Sequence, residues 1–463
     1  MTPRRTTLAA LLLAVGTVAA AVPVSFARTP PPPTGADSAL VAELERGAHP
    51  LRTTEPGGSL RDLRPVGRMV KDARVVGLGE ATHSTHEFFT MKHRLFRYLV
   101  EEKGFRGFSL EASWSTGLRL DDYVLHGKGD PRRIMDEEFQ ADYLWWNTDE
   151  FADLLTWMRD YNRAHPKDPV RFMGNDHIYA GPELYDKVTA YVAENRPALL
   201  PRFTELYRGL RPTTSVGAHI NASKERPVAE SREIADRTGR ALDLLKRQQP
   251  GPGSGKAAQE AFTWAVRHAT AIDQTAGQFA FDFDDPRQAA ASMRYRDRAM
   301  AATVAWWHRQ TGDKVLVSAH NAHLALRSHA PEVYPKVQGH FLRDKLGKDY
   351  VSIGTAFDSG SFNAVDAENR IRAFSLGPAK PGTNEHTLDK VRHRDYALDL
   401  RDTPANARAW LATPRATRLI AASYPGPGIE YPIALSHAHD IIVHLHRTTA
   451  AKLRAPSPST PAR

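Results

Sequence analysis

Glu80, His83, Glu111, Asp176, His320 and His323 each follow a short apolar run. In an α/β sheet the ends of such runs are where ligands and chemistry are placed. A histidine held by a carboxylate can take a proton from water near neutral pH, so Glu80 and His83, three residues apart, form a candidate general-base pair. The same groups could instead ligate a metal, with His320 and His323 joined by His83 and Glu80. A serine nucleophile ranks last, because no G-x-S-x-G follows a strand and the GSG within 249–255 sits in a Pro- and Gly-rich loop. Each residue taken alone has a bland explanation: strand-end acids often cap the next helix, and many histidines are structural. What lifts the set above that is recurrence. Strand ends far apart in the chain all carry ionisable groups, which would be costly to bury unpaired.

The elements that must position these groups can be read from the apolar pattern. Residues 75–78 form a buried strand, and 88–102 carry a helical apolar stripe closed by Gly104 as a C-terminal cap. Residues 105–110 give a second strand with Glu111 at its end, completing a right-handed βαβ unit. Residues 170–174 lead to Asn175, Asp176 and His177, and 314–319 lead to His320. Further strands are expected at 349–357, 419–422 and 441–445. His83, His86 and Glu87 fall within one turn at the start of the first helix, and the last two read as helix-face or supporting groups. Residues 116–123 and 135–161 read as helical and aromatic-rich, so that Trp145 and Trp146, with Asp176, become candidate substrate contacts. Residues 182–310 read as almost continuous helix. The expected fold class is therefore α/β: a mostly parallel central sheet flanked by helices, with a catalytic domain in two parts, 37–181 and 311–454, around a helical subdomain at 182–310.

Composition narrows the classes of function. The chain has no cysteine, which removes disulfides, thiolate ligands and a cysteine nucleophile together. Its net charge of +9 is spread among acids, as in RYRDR at 294–298, and reads as a solvated surface rather than a nucleic-acid stripe. Arg4 and Arg5 precede an apolar stretch at 8–24 ending in Ser25, Phe26 and Ala27, the pattern of a signal peptide over 1–27 cleaved near Ala27. The paired arginines resemble a twin-arginine signal. Residues 28–36 read as a proline-rich spacer and 455–463 as a disordered tail. The expectation is a secreted or extracytoplasmic protein with no membrane insertion after cleavage.

Four segments carry a family resemblance: GLGEATHSTHEFF at 77–89, FSLEASW around Glu111, RDRAMA at 296–301 and VSAHNAHLA at 317–325. Together they resemble the erythromycin esterase family, over about residues 60–447. The resemblance implies hydrolysis of a macrolactone or other small-molecule ester by activated water, with no covalent enzyme intermediate and no required metal or cofactor. It implies His83 as general base, Glu80 and Glu111 as essential acids, and His320 as a second essential histidine with His323 beside it. The family's resistance enzymes carry an arginine at the position of Lys92; lysine keeps the charge but loses the planar fork. In this reading Glu80 orients His83, and His320 or Lys92 steadies the oxyanion or protonates the leaving alkoxide. Two rivals share the same residues: a metal-dependent hydrolase using the His/Glu cluster, and an exported binding protein without catalysis.

Overall fold

The structure, a computed structural model, describes residues 34–251, 253–424, 426 and 430–454. The expected signal peptide at 1–27 and tail at 455–463 lie outside the described residues, as does most of the spacer. The part of the spacer that is described belongs to a helix, Thr34–Gly47.

Among the described residues eleven strands are labelled in chain order: β1 Ala48–Pro50, β2 Val75–Leu78, β3 Phe105–Ser113, β4 Arg171–Asp176, β5 Lys314–Ser318, β6 Tyr350–Val365, β7 Ile371–Leu376, β8 Tyr396–Asp399, β9 Arg415–Arg418, β10 Glu430–Ile433 and β11 Ile441–Thr448. The central sheet runs β1-β8-β11-β6-β2-β5-β3-β4, with β7 added on β6. Pairing is parallel from β11 through β6, β2, β5 and β3 to β4, and antiparallel only where β8 meets β1 and β11 and where β7 returns on β6. The fold is thus mixed α/β with a mostly parallel sheet.

Burial of the inner strands on both faces explains their unbroken apolar sequences. Successive side chains alternate sides, so Val76, Leu78, Phe108 and Leu316 join one core with Phe96 and Leu99. Val75, Val315 and Val317 join the other with Trp307 and Leu342. The His86–Lys103 helix ends at Gly104, whose φ of 69° allows the left-handed cap. It connects β2 to β3, but the two strands are not neighbours: β5, from much later in the chain, lies between them. Between β4 and β5 the chain runs through long helices, among them Val228–Lys246, Lys256–Phe279 and Pro286–Thr311. Among the described residues no helix is long and apolar enough to cross a membrane.

Several local expectations are corrected. Residues 419–422 are not a strand; β9 precedes them and pairs with β10 in a separate two-stranded sheet. Their apolar character reflects burial, with Ile420 making only an isolated bridge to Thr82. Residues 135–161 are not one helix but Pro131–Glu138, a tight turn over Ala141–Trp146, and Asp149–Ala164, capped by Thr148 accepting from the Phe151 N–H at 3.3 Å. β6 runs well past residue 357, and its partner β7 went unseen because an exposed strand shows no apolar run. Glu80 and His83 sit in the turn that leaves β2, and the following helix starts at His86, with Thr85 at its N-cap.

Candidate active site

The carboxyl ends of β2, β3, β4 and β5 meet, and they bring the predicted residues together. One close approach is between β2 and β5. Gly79 follows β2, and a Cβ there would lie 2.1 Å from Asn321 Oδ1 and 3.1 Å from its Cα, so only glycine lets the two turns touch. The Asn321 N–H then donates to the Glu80 carbonyl at 2.9 Å, locking one motif to the other.

Glu80 is fully buried and holds two partners. His83 Nδ1 lies 2.8 Å from Glu80 Oε1, and Lys92, reaching back from the helix, pairs with Glu80 Oε2. Because a carboxylate only accepts, Nδ1 of His83 carries the proton and Nε2 keeps its lone pair. The His83 ring meets Trp146 edge-on at 5.4 Å and lies 4.8 Å from the His320 ring, centroid to centroid. His320 has the opposite polarity. Its Nδ1 accepts the Ala322 N–H at 3.3 Å, which leaves the proton on Nε2, and that buried atom has no protein partner. Burial, then the proximity of His83, holds the His320 pKa well below its usual value, so the ring stays neutral. In the neutral rings the protons therefore sit on opposite nitrogens, Nδ1 of His83 and Nε2 of His320. At 6% exposure His83 is the most accessible of the set; Glu80, Glu111, His320 and His323 are at 2% or less.

Behind this pair lies a network of buried charge. Glu111 accepts the His320 N–H at 3.0 Å through Oε2, while its Oε1 lies 3.0 Å from His323 Nε2 and accepts from Arg296 at 3.1 Å. Arg296 also grips Asp176 with two bonds of 3.0 and 2.7 Å. On its other side His323 Nδ1 lies 2.9 Å from Asp297 Oδ1, and Tyr334 donates to Asp297 Oδ2 at 2.8 Å. Burial opposes charging of His323, but Asp297 and Glu111 outweigh it and push its pKa up to about 10. Burial likewise works to raise Glu111, yet His323, His83 and Arg296 hold its carboxyl well below the usual range. With its pKa raised in this way His323 is a cation between two carboxylates, its Nδ1 beside Asp297 and its Nε2 beside Glu111.

This charge state carries a testable pH dependence. The folded pKa of His323 lies above its ordinary 6.5, so the folded chain binds that proton more tightly than the unfolded one. The resulting stability is complete below about pH 6.5 and is lost as pH rises through 10. His86 acts in the same direction: its hydrogen bond to Glu150 leads in raising its pKa to about 9. The melting temperature is expected to fall between pH 7 and 10, with a shallower slope in His323→Gln; equal slopes would refute the buried imidazolium.

Placement separates the candidates. Glu80, His83, Lys92, Glu111, His320 and His323 form one connected cluster. Lys92 lies on Glu80, with Ala319 O at 3.4 Å, and burial lowers its pKa against the opposing pull of Glu80. Asp176 joins the network rather than standing open, its oxygens taken by Arg296, Tyr143 and the His177 N–H. Both Trp145 and Trp146 are buried in the core, and Trp146 also meets the His83 ring edge-on. Two cavities of about 180 and about 350 Å³ lie elsewhere: the first against Asn321 and Ala322, the second among the helices at Tyr185 and Arg226. Neither is lined by His83. Arg296 and Asp297 were missed as site residues. Within the charged run 294–298 they looked solvated, but only Arg294 and Arg298 are exposed; Arg296 and Asp297 are on the helix face turned to the sheet.

Comparison with known proteins identifies the family. The family model described as Erythromycin esterase matches residues 100–448, a span that takes in Glu111, Arg296, His320 and His323 and begins after Glu80, His83 and Lys92. The chain is 24% identical over 374 residues to the erythromycin esterase type II of Escherichia coli, covering 74% of this chain and 83% of that protein. A Bacillus cereus protein of known crystal structure superposes with a TM-score of 0.81 at 31% identity, covering 90% of this chain and 99% of that one. An erythromycin esterase mutant in its open conformation shares the fold, with a TM-score of 0.69 at 19% identity over 88% of this chain and 98% of that one. With the match running through most of the chain and through the strand ends that hold Glu111 and His320, this protein belongs to the erythromycin esterase family.

Proposed function

We propose that the protein hydrolyses a small-molecule ester, a macrolactone or a simpler one, by direct attack of water. Family membership supports an esterase-like hydrolase. The observation that carries the mechanism is the pairing of opposite tautomers on neighbouring rings, His83 with its proton on Nδ1 and His320 with its proton on Nε2, centroids 4.8 Å apart. His83 takes a proton from water while Glu80, itself fixed by Lys92, holds the ring and stabilises the charge it gains. The hydroxide adds to the ester carbonyl, and His320 Nε2–H donates to the developing oxyanion. Collapse expels the alkoxide, which recovers the proton held on His83 Nε2. No covalent bond to the chain forms at any point. In this scheme Lys92 positions Glu80 rather than meeting the oxyanion, and Glu111 fixes the His320 backbone.

The test is a hydrolysis screen of the purified protein over macrolides and generic esters, read by mass spectrometry. A product heavier than its lactone by one water is expected from at least one substrate. Incubation in ¹⁸O-water with one turnover should place the label in the carboxylate product. Absence of any hydrolysed ester, or a stable acyl-protein adduct, would refute the scheme.

A further inference from the structure

Away from the catalytic cluster, β6 and β11 assemble a second set of ligating groups. Asp358 on β6, Asp389 just after the Asn384–Leu388 helix and His446 on β11 each offer an atom within 4.8 Å of the other two. His446 Nδ1 lies 2.8 Å from Asp389 Oδ1, and His444 Nε2 lies 3.0 Å from the same oxygen. His444 and His446 share one face of β11, and the parallel register, Leu445 with Phe357 and Arg447 with Ser359, sets Asp358 beside His446 on that face. The set shares no residue with the catalytic cluster.

We infer that Asp358, Asp389 and His446 form a binding site for a divalent transition-metal ion. Each donor sits on a rigid support. Asp358 Oδ1 accepts the Ala379 N–H at 2.9 Å, and the His446 N–H donates to Asp395 Oδ1 at 2.9 Å. His444, fully buried, steadies Asp389, as partners of metal-bound carboxylates do. Asp358 is buried while Asp389 and His446 are partly exposed, so an ion can enter from solvent. Two carboxylates brought this close repel each other, and a divalent cation turns that repulsion into coordination. Two oxygens and an imidazole nitrogen suit Zn²⁺ or a neighbouring transition ion better than Ca²⁺ or Mg²⁺, which take oxygen ligands. The ion would pin three segments distant in sequence at the side of the sheet away from β3 and β4.

The full-length protein is dialysed against a chelator, freed of it, and titrated with ZnCl₂ by calorimetry, with bound zinc counted by elemental analysis. One equivalent is expected, with affinity falling roughly tenfold or more in both Asp358→Asn and His446→Ala. His446 is partly exposed, so its replacement keeps the fold testable. Zinc should also raise the melting temperature of the unmodified protein and not that of Asp358→Asn. His83→Ala should bind zinc as the unmodified protein does. No stoichiometric uptake, or an affinity in Asp358→Asn and His446→Ala equal to that of the unmodified protein, would overturn the inference. So would loss of binding in His83→Ala, which would move the ion to the catalytic cluster.

Discussion

Replacement of His83 by alanine is expected to lower kcat by roughly 10²–10⁴, the range that removal of a general base gives. The protein should stay folded. Glu80 keeps its ion pair with Lys92 when His83 is gone, so no buried carboxylate is stranded. The remaining loss is a ring that touches Trp146 and His320 and is the most exposed member of the cluster. The comparison is turnover at saturating ester, on whichever substrate the screen identifies, alongside circular dichroism of both proteins. Unchanged turnover in a folded His83→Ala protein would end the general-base assignment. A fall in turnover matched by lost ellipticity would show instead that His83 holds the turn after β2 in shape.

The second large effect is on stability. Arg296→Met should destabilise the fold by about 3–5 kcal/mol, the usual cost of removing one partner from a buried ion pair. Methionine preserves much of the apolar stem, so the change reports mainly on charge. Arg296 supplies two bonds to Asp176 and one to Glu111, and burial of all three groups leaves water no route to replace it. Its exposed neighbours serve as controls: Arg294→Ala and Arg298→Ala should each change stability by no more than about 0.5 kcal/mol. Urea titrations of the three variants decide the matter. If Arg296→Met shifts the midpoint no further than Arg298→Ala does, the network behind the site is not what holds these strand ends together.

The chemistry-bearing residues were legible from the sequence because strand ends announce themselves: an apolar run stops and an ionisable group follows. Glu80 with His83, Glu111, and His320 with His323 were all found that way, and they do converge. The charged run at 294–298 shows where such reading stops. Four charges in five residues look solvated in one dimension, yet helical geometry turns Arg294 and Arg298 outward and Arg296 and Asp297 onto the sheet. Periodicity cannot show which way a helix faces when polar residues lie on both sides. The same limit hid β7, exposed and without an apolar run, and made the buried stretch at 419–422 look like a ladder strand.

By itself the sequence determined the α/β class, the inner strands and the identity of the catalytic candidates, since these follow from local apolar period and residue type. Tertiary structure decided their surroundings. It placed β5 between β2 and β3, which is what sets His320 against His83. It set the two rings in opposite tautomers, because one Nδ1 meets a carboxylate and the other a backbone N–H. And it made His323 a buried cation and Lys92 a clamp on Glu80, since the charge on a buried group is set by neighbours that only the fold brings within a few ångströms.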